Sequence, residues 1–182
     1  MEAIVAVDQN WAIGLRGKLL QPIAEDLKHF RRLSRDRILI YGSGTLSSFP
    51  SARPLPKRPN WILSRRLRPE DLGWASADDP NGLRIFRDLS SLEKAVQDSG
   101  EPGRRFLVIG GASVYRLLLP YCDCVHLTRI DHAFEASDAG FPNLDADPEW
   151  ELAETEAPQT DDASGLNFAF LTYRRICGGM EL

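Results

Sequence analysis

The run Phe106-Leu107-Val108-Ile109, followed at once by Gly110-Gly111, constrains this chain more than any other feature. Four consecutive apolar residues ending at a glycine pair read as a strand buried on both faces. Such strands belong to parallel sheets covered by helices. The residues beyond the glycines, Ser113 to Leu119, continue as a helix that Pro120 helps to end. Ile4-Val5-Ala6-Val7, Arg37 to Tyr41 and Asn60 to Ser64 are further short apolar runs of the same kind. Leu83 to Phe86 and Cys124 to Ile130 alternate in period two. Between them, Ala24 to Leu33 sets Leu27, Phe30 and Leu33 on one face of a helix, with charges between. Ser91 to Asp98 predicts a short helix with a loose start, because Lys94 stands where a capping box has an acid. Trp150 to Thr155 and Asn167 to Arg174 predict an antiparallel hairpin with a long polar connection. Pro54, Pro56 and Pro59 mark a rigid loop, and Asp71 to Gly82 and Ala133 to Pro148 read as loops. The expected class is α/β, a central, mostly parallel sheet flanked by helices and extended by a C-terminal antiparallel hairpin. No linker divides the chain, so one domain over residues 1–182 is expected.

Composition closes off several classes. Hydrophobic residues are 43% and charged residues 26%, values of an ordinary globular chain rather than a disordered or fibrous one. No run approaches the roughly 20 apolar residues of a membrane span. Acidic side chains outnumber basic ones, 26 to 22, which gives no general attraction to nucleic acid. Glu2 and the early stop of the apolar run at Asp8 do not resemble a signal peptide, and three cysteines are an odd count. A reducing compartment, the cytoplasm, is expected. Cys122-Asp123-Cys124 reads as half a metal site, but no second cysteine pair or close histidine was found to complete it, so no metal is expected.

Candidate chemistry clusters at strand ends. Gly110-Gly111 lets a backbone approach a ligand, and the following helix start offers free N–H groups to a phosphate. A tight turn without a ligand has the same sequence. A second strand ends in Gly42-Ser43-Gly44-Thr45, so two glycine-bearing ends are placed to hold two sides of one dinucleotide. Ser64-Arg65-Arg66 ends a third strand; a guanidinium there suits a ribose 2′-phosphate or is simply solvated. Asp26 lies beside Leu27 and four residues before Phe30, on the apolar side of its helix. A carboxylate there is costly unless partnered, which suggests an amidine-like ligand or proton transfer; a surface or capping acid is the alternative. His29, His126 and His132 are scattered and suggest no catalytic grouping.

Taken in order, these segments resemble dihydrofolate reductases. The resemblance runs from about Ala3 to Trp150. It rests on Ala6 with Ala12-Ile13-Gly14 and Gly17-Lys18-Leu19-Leu20, on Ile23 to Phe30, and on Thr45 to Pro50 followed by Arg53 to Asn60. Val108 to Tyr115, Leu118-Leu119-Pro120, Leu127 to Asp131 and Phe141-Pro142 complete it. It implies hydride transfer from NADPH to C6 of 7,8-dihydrofolate with protonation at N5. Asp26 falls on the family's active-site acid, and Thr128 on the hydroxyl that bonds it. Ile4, Ala6, Leu27, Phe30, Phe49, Leu55 and Ile109 match the substrate walls, and Arg58 the clamp on the glutamate carboxylate. Ala6, Ile13, Gly14, Leu19, Gly42, Thr45, Leu63, Ser64, Arg65, Gly110, Gly111, Ala112, Ser113, Val114 and Tyr115 match the cofactor site. The segment Ile13 to Leu20 matches a mobile closing loop.

Two departures bear on function. Ser43 and Gly44 replace a basic pair common in the family, which weakens the hold on cofactor phosphates and opens NADH as an alternative to NADPH. Leu20-Gln21 replaces a frequent Pro-Trp in the closing loop. The readings that compete with a monomeric, cytoplasmic reductase are a catalytically weak folate- or nucleotide-binding module, and a riboflavin-pathway reductase on the same fold. Neither nucleic acid nor membrane is expected as a partner.

Overall fold

The structure is a computed structural model and describes residues 1–72 and 82–179. The strands are β1 (Glu2–Val7), β2 (Ala12–Leu15), β3 (Lys18–Leu19), β4 (Ile38–Gly42), β5 (Asn60–Leu63) and β6 (Arg84–Phe86), then β7 (Phe106–Gly110), β8 (Cys124–Ile130), β9 (Ala139–Gly140), β10 (Trp150–Thr155), β11 (Gln159–Thr160) and β12 (Asn167–Arg175). Four helices accompany them: α1 (Ala24–Leu33), α2 (Ser43–Ser48), α3 (Leu89–Ser99) and α4 (Ala112–Leu118). Among the described residues, nine strands join one sheet in the order β10-β12-β8-β1-β7-β4-β5-β6, with β11 on β12, and the other three form a second, β3-β2-β9. From β8 to β6 every pairing is parallel, and β12 runs antiparallel to both β8 and β10. The α/β class, the parallel centre and the C-terminal antiparallel pair are therefore as expected. Among the described residues, no helix is long and apolar enough to cross a membrane.

Strand periodicity divides the core between the two faces. Val5, Val7, Ile40, Phe106 and Val108 point to one side, against Leu92 and Ala95 of α3 and Val114 and Leu118 of α4. Ile4, Leu39, Tyr41, Ile62 and Leu107 point to the other, where Leu46 of α2 and Phe30 and Leu33 of α1 meet them. Both faces are dry, which is why the central strands read as unbroken apolar runs.

Two local expectations need correction. Helix α3 starts at Leu89, not Ser91: Asp88 caps it, accepting from Ser91 N at 2.8 Å, and Ser91 completes the box in place of an acid. Helix α4 starts one residue early, at Ala112, and a 3₁₀ turn, Leu119–Tyr121, follows it. The segment matched to a closing loop forms a hairpin, β2 against β3, with β9 of the acidic loop on its other edge. Gly14 makes that hairpin possible, since a Cβ there would lie 2.7 Å from the Lys18 carbonyl oxygen. Of the loop Asp71 to Gly82, residues 73–81 lie outside the described residues.

Candidate active site

Helix α1 carries the acid, and its setting explains the apolar face read from sequence. None of its residues is fully buried. Phe30 and Leu33 pack on the core from one end, while Leu27 is 38% exposed. The apolar stripe thus borders a cleft rather than closing onto the sheet. No side chain of its own caps the helix. Asp161, far along the chain, does so instead: its carboxylate accepts from Ala24 N at 3.2 Å and from Ser164 Oγ at 2.7 Å. Nothing in the local sequence around α1 signals that partner.

Asp26 meets Thr128 of β8, whose hydroxyl donates to Oδ1 at 2.6 Å. Thr128 is buried. Burial raises the Asp26 carboxyl above its usual range, and the Thr128 hydrogen bond partly offsets that rise. In the parallel ladder Thr128 stands beside Ala6 of β1. Neighbouring strands lie about 4.8 Å apart, so the acid–hydroxyl pair is one strand from Ala6.

Ala6 also lines a cleft of about 530 Å³. Ile13, Gly14 and Leu19 of the hairpin form one side; Gly42, Ser43, Gly44, Thr45 and Leu63 form another. Ile109, Gly111, Ala112, Ser113 and Tyr115 form the third. The Gly110-Gly111 peptide is cis, and Gly110 has φ 107°. A Cβ on Gly110 would lie 2.9 Å from the Tyr115 ring, whose hydroxyl donates to the Ile4 carbonyl at 2.6 Å. The glycine pair thus brings the sheet end, the helix start and the Tyr115 anchor together. Asp8 fixes the hairpin from below, accepting from Ala12 N at 2.8 Å and Phe134 N at 3.1 Å.

Four residues expected at the cofactor site do not line this cleft. Gly110 and Val114 support it from behind, and Val114 is buried in the core. The Ser64 hydroxyl donates to Ser43 Oγ at 3.3 Å and accepts from Leu67 N at 3.2 Å, so it latches two loops together. Arg65 is exposed outside the cleft. Two cations missed from sequence, Lys18 and Arg116, do line it. Arg116 follows Tyr115 on α4, so it was legible once that helix was given an inner end.

The remaining substrate residues converge from the other side. Phe49 and Leu55 are half-buried beside Tyr41, with the Phe49 ring 5.3 Å from the Tyr41 ring. Asn60 shapes the loop that bears Leu55 and Arg58. It is fully buried, accepts from Tyr41 Oη at 2.9 Å, and donates to the Leu55 and Arg58 carbonyls at 2.9 and 2.7 Å. Arg58 is half-buried; its guanidinium donates to the buried Ser34 hydroxyl and to the Pro56 carbonyl. A fixed guanidinium of this kind suits a carboxylate.

Comparison with known proteins agrees with this geometry. The family model described as "Dihydrofolate reductase" matches residues 1–175. The chain belongs to the dihydrofolate reductase family. It is 31% identical over 172 residues to the dihydrofolate reductase of Bacillus subtilis (strain 168), covering 94% of this chain and 92% of that protein. It is similar to the viral dihydrofolate reductase of Saimiriine herpesvirus 2 (strain 488), at 31% identity over 97% of this chain and 85% of that protein. It also resembles the dihydrofolate reductase of Sus scrofa, at 29% identity over 96% of this chain and 97% of the relative. Membership makes the chain an oxidoreductase that uses a nicotinamide cofactor and a small-molecule substrate.

Proposed function

We propose that this chain reduces 7,8-dihydrofolate to tetrahydrofolate with NADPH. The observation that carries the reading is the hydrogen bond between half-buried Asp26 and buried Thr128, standing one strand from Ala6, a wall of the glycine-lined cleft. A bound reduced nicotinamide supplies a hydride to C6 of the pterin. Asp26 then has two tasks. Its carboxyl binds the 2-amino group and N3, and it favours delivery of a proton to N5, through water, so that hydride and proton together saturate the C6–N5 double bond. Burial keeps a proton near this acid at higher pH than an exposed aspartate would. Thr128 orients the carboxyl and takes part in holding the pterin. Ile4, Ala6, Leu27, Phe30, Phe49, Leu55 and Ile109 exclude water from the pterin and aminobenzoate. Arg58, braced by Ser34, holds the glutamate carboxylate.

The cleft fits a dinucleotide. Its walls are rich in glycine where a backbone must come close, and Gly44 has open space where a side chain would stand. The residues that would hold the cofactor are Gly42 to Thr45 and Gly111 to Ser113, with Ile13, Gly14, Leu19 and Tyr115 toward the nicotinamide. Ser43 and Gly44 bring no charge to its phosphates; Lys18 and Arg116 line the cleft beside Leu19 and Tyr115, and Arg65, just past β5, is the guanidinium we assign to the ribose 2′-phosphate of NADPH. We read the protein as a cytoplasmic monomer of one domain; its three unpaired cysteines support the reducing compartment.

The test is consumption of NADPH or NADH, in parallel, by the purified folded protein with and without dihydrofolate. Loss of the reduced nicotinamide absorbance that requires dihydrofolate is the expected result, faster with NADPH. No turnover with either cofactor overturns the proposal and moves the assignment to a binding module or a riboflavin-pathway reductase.

A further inference from the structure

One group of side chains lies outside the reductase machinery. Glu2 of β1 stands beside Cys124 of β8 in the parallel ladder, and His126 lies two residues further along, opposite Ile4. Residues two apart share a sheet face, so the three side chains meet on the face that also bears Ala6 and Thr128. His126 Nε2 is 2.9 Å from Glu2 Oε2, and Cys124 Sγ is 3.8 Å from the same Nε2. One oxygen, one nitrogen and one sulfur atom all lie within 4.8 Å of one another.

We propose that Glu2, Cys124 and His126 form a binding site for a divalent transition-metal ion of the Zn²⁺ class. Two features decide between this and other uses of a Cys-His-Glu group. First, thiol and carboxylate approach the same ring nitrogen. A nucleophile relay needs them on opposite nitrogens, so that the imidazole can take a proton on one side while the acid orients the other. Convergence on one point suits a cation, or in its absence one shared proton. Second, the spacing is close to that of a coordination sphere. Zinc bonds of about 2.0–2.3 Å in a tetrahedron put the ligand atoms about 3.3–3.7 Å apart. The observed distances reach that range with side-chain movements of under about 1 Å. Mixed thiolate, imidazole and carboxylate donors suit Zn²⁺ and Co²⁺ rather than Mg²⁺ or Ca²⁺. Three protein ligands leave a fourth position for water.

The surroundings are consistent with the role. The Arg37 guanidinium bonds the Glu2 carboxylate, as outer partners of ligating carboxylates do. Glu2 and His126 side chains are 19% and 18% exposed, so an ion can enter from solvent. Cys122 takes no part; its thiol is buried and donates to the Leu118 carbonyl at 3.3 Å. The sequence expectation of no metal considered Cys122 and Cys124 as the pair. The histidine was one strand step past Cys124, and the carboxylate came from another strand.

The proposal is independent of the reductase assignment and is tested without turnover. Co²⁺ is titrated into the full chain and followed by absorbance. Expected are a thiolate-to-cobalt charge-transfer band and tetrahedral ligand-field bands, saturating at one ion per chain and removed by Zn²⁺. Cys124→Ser should abolish the charge-transfer band. His126→Gln should weaken Co²⁺ binding by more than about tenfold, since losing a residue that merely hydrogen-bonds a ligand already costs about that much. Cys177→Ser, which removes an exposed thiol, should change neither. Circular dichroism checks that each variant is folded. Absence of the charge-transfer band in the unaltered chain overturns the site, as does a band that survives Cys124→Ser or disappears in Cys177→Ser. If Cys124→Ser does not fold, the unaltered chain and His126→Gln still decide: unweakened binding in folded His126→Gln refutes it.

Discussion

Replacing Thr128 by valine isolates the hydrogen bond that governs the acid. Valine keeps the shape of threonine, so the buried position stays filled, but the 2.6 Å donor to Asp26 Oδ1 is lost. A hydrogen bond to a charged group contributes about 1.5–3 kcal/mol. The ionised carboxylate loses that support and the neutral carboxyl loses less. Burial, which already raises the Asp26 pKa, then acts with no opposing partner. The protonated form of Asp26 therefore persists to higher pH. Two consequences follow for the kcat/KM profile with dihydrofolate. The limb that falls as pH rises should move to higher pH. Below it, KM should rise, because less carboxylate is present to hold the 2-amino group and N3. Stability follows the same sign. A carboxyl whose folded pKa lies above its unfolded one loses stability as pH rises through the folded value, and the variant should be less stable than the parent by about 1–3 kcal/mol above that point. The assay is the initial rate of NADPH oxidation across pH, with urea unfolding at two pH values on either side of the limb. A folded Thr128→Val protein with an unmoved limb would refute the coupling of this hydroxyl to the acid.

Asp26→Asn should lower turnover at neutral pH by about 10²–10⁴-fold, the range for loss of a positioned acid; the same change should raise the urea midpoint at neutral pH, because it removes a carboxyl whose ionisation burial opposes. An unchanged rate would remove Asp26 from the mechanism. Arg58→Gln should raise KM for dihydrofolate about tenfold or more with kcat little changed, and should lose that effect for a substrate lacking the glutamate tail. Gly110→Ala should cost about 1–3 kcal/mol in urea unfolding, from φ 107° and from the 2.9 Å approach to the Tyr115 ring, and weaken NADPH binding with it. Arg116→Gln should raise KM for NADPH and for NADH alike by about fivefold, since an exposed charge contributes about 1 kcal/mol; an unchanged KM for both would place Arg116 away from the cofactor.

The sequence made the central sheet legible because both its faces are dry. Buried parallel strands show as apolar runs, and Phe106 to Ile109 is the clearest of them. Legibility failed where a distant group does local work. Helix α1 is capped by Asp161 across 137 positions, Asn60 ties the Arg58 loop to Tyr41 of β4 across 19, and Asp8 ties the start of the hairpin to Phe134 across 126. Each is a single polar residue whose partners only the fold supplies. Short strands were missed for a related reason. β3 and β9 have two residues each and bury little, so they carry no periodicity to read. The start of α3 was misplaced because Asp88 was passed over for Ser91, although both belong to one capping box.

The same register explains why an acid on α1 and a cleft between strand ends form one site. Glu2, Ile4 and Ala6 lie on one face of β1, next to Cys124, His126 and Thr128 of β8. Helix α1 lies over this row, with Asp26 at the Thr128 end and His29 stacked 4.2 Å from Phe170 of β12. Only at the Ala6–Thr128 step do the glycine-bearing ends of β4 and β7 come alongside, so only there can an acid serve a ligand in the cleft. One step is about 6.7 Å along a strand. An acid moved one helical turn along α1 would lose Thr128 and with it the cleft. The position of Asp26 is therefore set by strand register as much as by its own helix. A one-residue slip between β1 and β8 would turn Thr128 away from Asp26 and onto the opposite face, leaving the acid without its hydroxyl partner while the glycine cleft stays intact.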